Sequence, residues 1–181
     1  MIAENLSDWF DEKRIVYSWE DLRFPFTQTK QGATAKPDFD FTNLGLLFPQ
    51  DDATEIISII AQMPHDYVIG TNIKPHIHYQ QSAAEQPVFK IDYKWFNNGD
   101  AVPATFTTVA GTGNAYTYSS GDLHQIQTWE EIDGSGITGV SSILLIKLYR
   151  DDDVLTGDSL AFEFDIHYKK YLPGSRYEYE V

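Results

Sequence analysis

The chain has 181 residues, 27 acidic and 13 basic, giving a net charge of −14 and an isoelectric point near 4.5. That length favours one domain able to bury a core without covalent staples, and the absence of cysteine excludes disulfides, thiolate metal sites and cysteine nucleophiles. The acidic balance speaks against nucleic-acid and anionic-membrane partners, because basic residues adjoin only at Lys169-Lys170 and at Lys13-Arg14, directly behind Asp11-Glu12.

Met1-Ile2-Ala3-Glu4-Asn5 lacks the basic start and apolar run of a secretion signal, and no stretch approaches bilayer-spanning length, so a soluble, unprocessed chain is expected. With 11 Tyr, 11 Phe and 4 Trp and little periodicity at three and four residues, the composition predicts an all-β fold. Residues 5–14 form the one plausible helical turn, with Leu6, Trp9 and Phe10 spaced for one face. Pro25, Gly32, Pro37 and Pro49 then punctuate isolated apolar residues, which predicts an extended N-terminal arm over residues 1–51. Its aromatics have no evident partner within the segment, so Trp9, Phe10, Trp19, Leu22, Phe24 and Phe26 are the expected assembly contacts.

A β-sandwich domain is expected over residues 52–181. The β-branched run 55–61 suits a strand buried on both faces. Ile73, Pro75, Ile77 and Tyr79 alternate with Lys74, His76, His78 and Gln80, and Phe89, Ile91, Tyr93 and Trp95 alternate with Lys90, Asp92 and Lys94. These two half-buried strands are expected to pair as a hairpin, the second turning at Asn97-Asn98-Gly99. Residues 110–121 are small and polar and read as a loop or strand edge, followed by a mixed strand over 123–132 and an apolar run over 143–149. Asp151-Asp152-Asp153 marks an exposed turn, and Phe162, Phe164, Ile166 and Tyr168 alternate with Glu163, Asp165, His167 and Lys169 in a final strand. About eight strands with turn signals and no alternating helices predict a two-sheet, jelly-roll-like sandwich.

The sharpest chemical feature is His76-Ile77-His78, since a strand projects both imidazoles to one face, away from the core. In the expected hairpin His76 faces Asp92, which would orient or co-ligate a metal ion. Two histidines are few for a metal site, so it needs His124 or His167 from elsewhere in the chain, or copies of the pair around an oligomer axis, where three chains bring six imidazoles to one ion. The simpler alternative is a pair of interface histidines that titrate without a ligand. Asp165 and His167 also share a strand face, an arrangement usual for a solvated, charged surface. Gly111-Thr112-Gly113-Asn114 lacks the lysine and following helix of a phosphate loop.

Gly70, five residues, then His76-Ile77-His78 resembles the opening of the cupin metal motif, found in jelly-roll proteins that include many metal-dependent enzymes. The match stops there, because Glu85 is too distant for the glutamate ligand and neither His124 nor His167 carries the proline-glycine turn of the later cupin motif. More of the chain resembles a widespread family of small tailed-bacteriophage virion proteins. The likeness runs through Trp19-Glu20-Asp21-Leu22-Arg23-Phe24-Pro25, Ala61-Gln62-Met63-Pro64-His65 and Gly70-Thr71-Asn72-Ile73-Lys74-Pro75-His76-Ile77-His78. It continues in Trp95-Phe96-Asn97-Asn98-Gly99, Phe164-Asp165-Ile166-His167-Tyr168 and Pro173-Gly174-Ser175-Arg176-Tyr177-Glu178. The resemblance implies a non-enzymatic virion component, a head decoration or head-tail accessory protein. The arm whose aromatics lack partners points to a homo-oligomer, with a trimer favoured, and contacts with capsid or tail proteins are expected. A cupin-like metal enzyme and a glycan-binding fibre or spike module are the alternatives.

Overall fold

A computed structural model of the chain describes residues 17–50, 52–81, 86–111, 113–114, 123–151 and 157–171. The helical turn expected over residues 5–14, with Trp9 and Phe10, lies outside them. The strands are β1 (Tyr17–Pro25), β2 (Lys30–Gln31), β3 (Asp38–Asp40), β4 (Gly45–Phe48), β5 (Asp52–Gln62), β6 (Lys74–Gln80) and β7 (Phe89–Phe96). They continue with β8 (Thr107–Ala110), β9 (Gly113–Asn114), β10 (Gln125–Thr128), β11 (Ile143–Arg150) and β12 (Ser159–Tyr171).

One sheet has the order β3-β4-β12-β6-β10-β9, with β1 also on β12, and the other has the order β2-β5-β11-β7-β8. The central strands run β4-β12-β6-β10 in the first sheet and β5-β11-β7-β8 in the second, which is the interleaved order of a jelly roll. The expected two-sheet sandwich is therefore the fold. The expected hairpin is not: β6 pairs with β10 and β12, whereas β7 pairs with β11 and β8 in the opposite sheet. Jelly-roll connections cross between sheets, so neighbours in sequence become partners across the core.

Alternation supplies the core. Ile77 and Tyr79 of β6, Phe164 and Ile166 of β12 and Phe48 of β4 face Ile57 and Ile59 of β5, Leu144, Ile146 and Leu148 of β11, and Phe89 and Ile91 of β7. Phe89 is the centre of an aromatic cluster, its ring 5.5 Å from that of Phe48 and 5.7 Å from that of Tyr79, both edge-on. Each such side chain contributes about 1.5–3 kcal/mol by leaving water. The run expected to be buried on both faces alternates instead, with Ile57, Ile59 and Ala61 inward and Ile60 outward and 70% exposed. Isoleucine on the open side disguises a one-sided strand.

The N-terminal segment also joins the sheets. β12 has 13 residues, pairs with β4 through Ser159, Leu160 and Ala161, and beyond them offers the same edge to β1, from Glu163↔Pro25 to Tyr171↔Tyr17. At Pro25 the chain leaves β1 for a 3₁₀ turn (Phe26–Gln28), which puts Phe26 into the core at 2% exposure, its ring 6.1 Å from that of Phe48. This corrects the expectation that Phe26 serves assembly: its partners belong to its own chain. Leu22 and Phe24 likewise pack against the core, while Trp19 stays 43% exposed.

Candidate functional site

On β6 the inward set Pro75, Ile77 and Tyr79 turns His76 and His78 to the outer face, as their alternation predicts. Register then selects their neighbours. Across the β6–β12 ladder Asp165 stands opposite His76 and Glu163 opposite His78, and on β1 Arg23 stands opposite Asp165 and Asp21 opposite His167. On the other side of β6, β10 places Thr128 beside His76 and Ile126 beside His78, with His124 just ahead of the strand. Four of the five histidines in the chain, His76, His78, His124 and His167, thus line one open depression of about 770 Å³ together with Asp165 and Arg23.

Asp165 is the hub. Its Oδ2 lies 3.4 Å from His76 Nε2 and 3.2 Å from His78 Nε2. His78 Nδ1 lies 2.8 Å from His124 Nε2, and the two rings are nearly parallel at 13°. His76 is flanked by His78 and His167, with ring centres 5.2 and 6.2 Å away. His167 turns to the N-terminal strand, with Nδ1 3.8 Å from Asp21 Oδ1 and its ring edge-on to Trp19. At the rim Arg23 donates two parallel hydrogen bonds to Glu163, of 2.7 and 2.6 Å.

Asp165 is only 4% exposed. Burial raises its pKa, but hydrogen bonds and positive charge from His76 and His78 outweigh burial and hold the carboxyl well below the usual range. For His76, burial opposes the charged form, yet hydrogen bonding and attraction to Asp165 win and its pKa is raised. No carboxylate among the described residues pairs with His124 in this way, so burial, then the nearby His78, push it down. The other oxygen of Asp165, Oδ1, is buried and has no hydrogen-bond partner among the described residues.

The structure therefore replaces the expected partner of the histidine pair. Asp92 lies on β7 in the other sheet, where its Oδ1 accepts hydrogen bonds from Thr108 Oγ1 at 2.6 Å and Tyr149 Oη at 3.2 Å. Asp165, which the sequence pattern places on a solvated strand face, takes its place as a buried carboxylate. His124 and His167, named as possible further donors, both reach the depression, and His124 is in direct contact. His65 stands apart, its Nε2 2.9 Å from Ser141 Oγ. Two imidazoles and a carboxylate within one chain form a possible ligand set for a divalent cation, with no need of an oligomer axis to complete three donors.

No family model matches the chain, and no curated protein matches it. Among solved structures it is similar to the dimeric latent PorU from Porphyromonas gingivalis, with a TM-score of 0.40 and 10% identity. The similarity covers 87% of this chain and 13% of that one. At this level the likeness carries no functional argument.

Proposed function

We propose that the protein is a non-enzymatic structural component of a tailed-bacteriophage virion, a head decoration or head-tail accessory protein, working as a homo-oligomer, a trimer by preference. The observation that carries this reading is the tip of the β3–β4 hairpin, where Phe41 is 83% and Leu44 60% exposed. The tip is braced: Asp40 accepts hydrogen bonds from the backbone N–H of Thr42 at 2.7 Å and from the Asn43 side chain at 2.8 Å. Leu44 has φ +58°, a left-handed conformation that favours glycine or asparagine. A stiff turn that accepts backbone strain to present two large apolar side chains to water suits a docking knob better than a solvent loop. Jelly rolls also serve viral capsids, which supports the reading by analogy.

The test uses Phe41→Ser with Leu44→Gly. Glycine relieves the strain, so the variant keeps the stability of the parent within about 1 kcal/mol. Sedimentation should show an oligomer at micromolar concentration for the parent and a monomer for the variant, which also fails to join particles during assembly in cells. A monomeric parent, or a variant that assembles and packages like it, overturns the reading. A metal-dependent, cupin-like enzyme is the second reading, favoured by the His76, His78 and Asp165 set. Turnover of a substrate by metal-loaded protein would favour it.

A further inference from the structure

We propose that His76, His78 and Asp165 of a single chain bind one divalent first-row transition ion of the zinc type, with His124 as the outer partner of His78. The inference is independent of the particle reading. Imidazole and carboxylate donors suit this class of ion, and three protein ligands leave an open position toward the depression. Ligands 2.0–2.1 Å from a tetrahedral ion stand about 3.3 Å apart. His76 Nε2 and His78 Nε2 stand 3.4 and 3.2 Å from Asp165 Oδ2, and the three ligand atoms all lie within 4.8 Å of one another.

Two further observations point the same way. A histidine that gives Nε2 to a metal usually donates its Nδ1–H to a nearby acceptor, which fixes its tautomer and orientation. His124 Nε2 is placed for that role, 2.8 Å from His78 Nδ1. Asp165 Oδ1, buried and without a hydrogen-bond partner among the described residues, belongs to a carboxylate that is more than nine-tenths buried. A bound ion, or a water molecule on that ion, would give this oxygen the partner that the described residues do not.

The ion would tie β6 to β12 at the residues that the ladder already sets opposite each other, His76 and Asp165. Arg23 and Glu163 line the same depression, where water or a carboxylate from a neighbouring molecule would complete the shell.

Untagged, chelator-stripped protein titrated with Zn²⁺ by calorimetry, and with Co²⁺ by visible absorption, tests the site. The expected result is one ion per chain and d–d bands of low-coordinate Co²⁺. His76→Ala with His78→Ala abolishes binding, and His124→Gln weakens it roughly 10–100-fold. His65→Ala leaves it unchanged. Denaturant unfolding without metal checks that each variant is folded, and His124→Gln, at an exposed position, keeps the test informative if the double variant is not. No binding at micromolar ion, one ion per three chains, or affinity that survives the double substitution each overturns the proposal. Loss of assembly in the hairpin-tip variant with metal binding intact separates the two inferences.

Discussion

Outside the β6 sheet, His76, His78 and Asp165 lean together across adjacent strands; outside the β11 sheet, Ile60, Leu145 and Lys94 stand side by side in register, with Lys147 two residues along from Leu145. There the lysines cover Phe106, each Nζ 4.4 Å from the ring centre. Both faces are the outward half of alternating strands over one shared core, and both carry charge. The difference lies in what register sets opposite what. On the β6 side a buried carboxylate meets imidazoles; on the β11 side Leu145 lies between Ile60 and Lys94, Asp92 stands opposite Lys147 but is held by Thr108 and Tyr149, and the lysines fold over an aromatic ring.

The sharpest way to break this comparison is to remove the hub. Asp165→Ala should cost the metal-free protein about 2–3 kcal/mol in urea unfolding at pH 5.5. That is less than the 3–5 kcal/mol typical of a broken buried pair, because His76, whose pKa Asp165 raises, can shed its proton more readily once the carboxylate is gone. Ile60→Ser on the opposite face should change stability by less than about 0.5 kcal/mol. Equal costs would mean that the cluster is an ordinary surface.

The pH profile is the next largest effect. His76 has a raised pKa in the fold, so its contribution is complete below its ordinary value of 6.5 and is lost as pH rises through the folded value. Asp165 has a lowered pKa, so its contribution is complete above its ordinary value of 3.8 and is lost as pH falls through the folded value. The contribution of this pair to the stability of metal-free protein should therefore be greatest between about pH 4 and 6.5, with the lowered pKa of His124 acting against it as pH falls below 6.5. Asp165→Asn should flatten this maximum. A parent profile no different from that of the variant would remove the ion pair from the account.

The smallest effect tests the other face. Lys147→Ala should cost under about 0.5 kcal/mol, since Lys94 still covers Phe106, and the double substitution about 1 kcal/mol. Losses as large as that of Asp165→Ala would erase the contrast between the faces.

The alternation Ile73, Pro75, Ile77, Tyr79 is enough by itself to turn His76 and His78 outward, because strand geometry is local. The carboxylate partner is not legible in the same way. Asp165 is 87 to 89 residues further along, and face parity admits Asp92 as readily; only the jelly-roll crossing, which sends β7 to the far sheet, decides between them. Phe26 misleads for a related reason. Its position one residue after Pro25 suggests an arm, but the 3₁₀ turn that swings it inward depends on Phe48 being there to receive it. β5 misleads through composition, since Ile60 carries the look of a core residue on an exposed side.

β12 gives the depression a place in time. It meets β6 at Asp165 and His76 and meets β1 at Asp165 and Arg23, contacts separated by 89 and 142 residues along the chain. Pairings of such separation close late, because loop-closure entropy is met before the contacts return anything. During synthesis His76 and His78 emerge long before their carboxylate, so the nascent chain holds the imidazoles without their counter-charge. Zipping of β12 between β6 and β1 completes the depression, and its appearance would serve as a kinetic marker that the sandwich has closed.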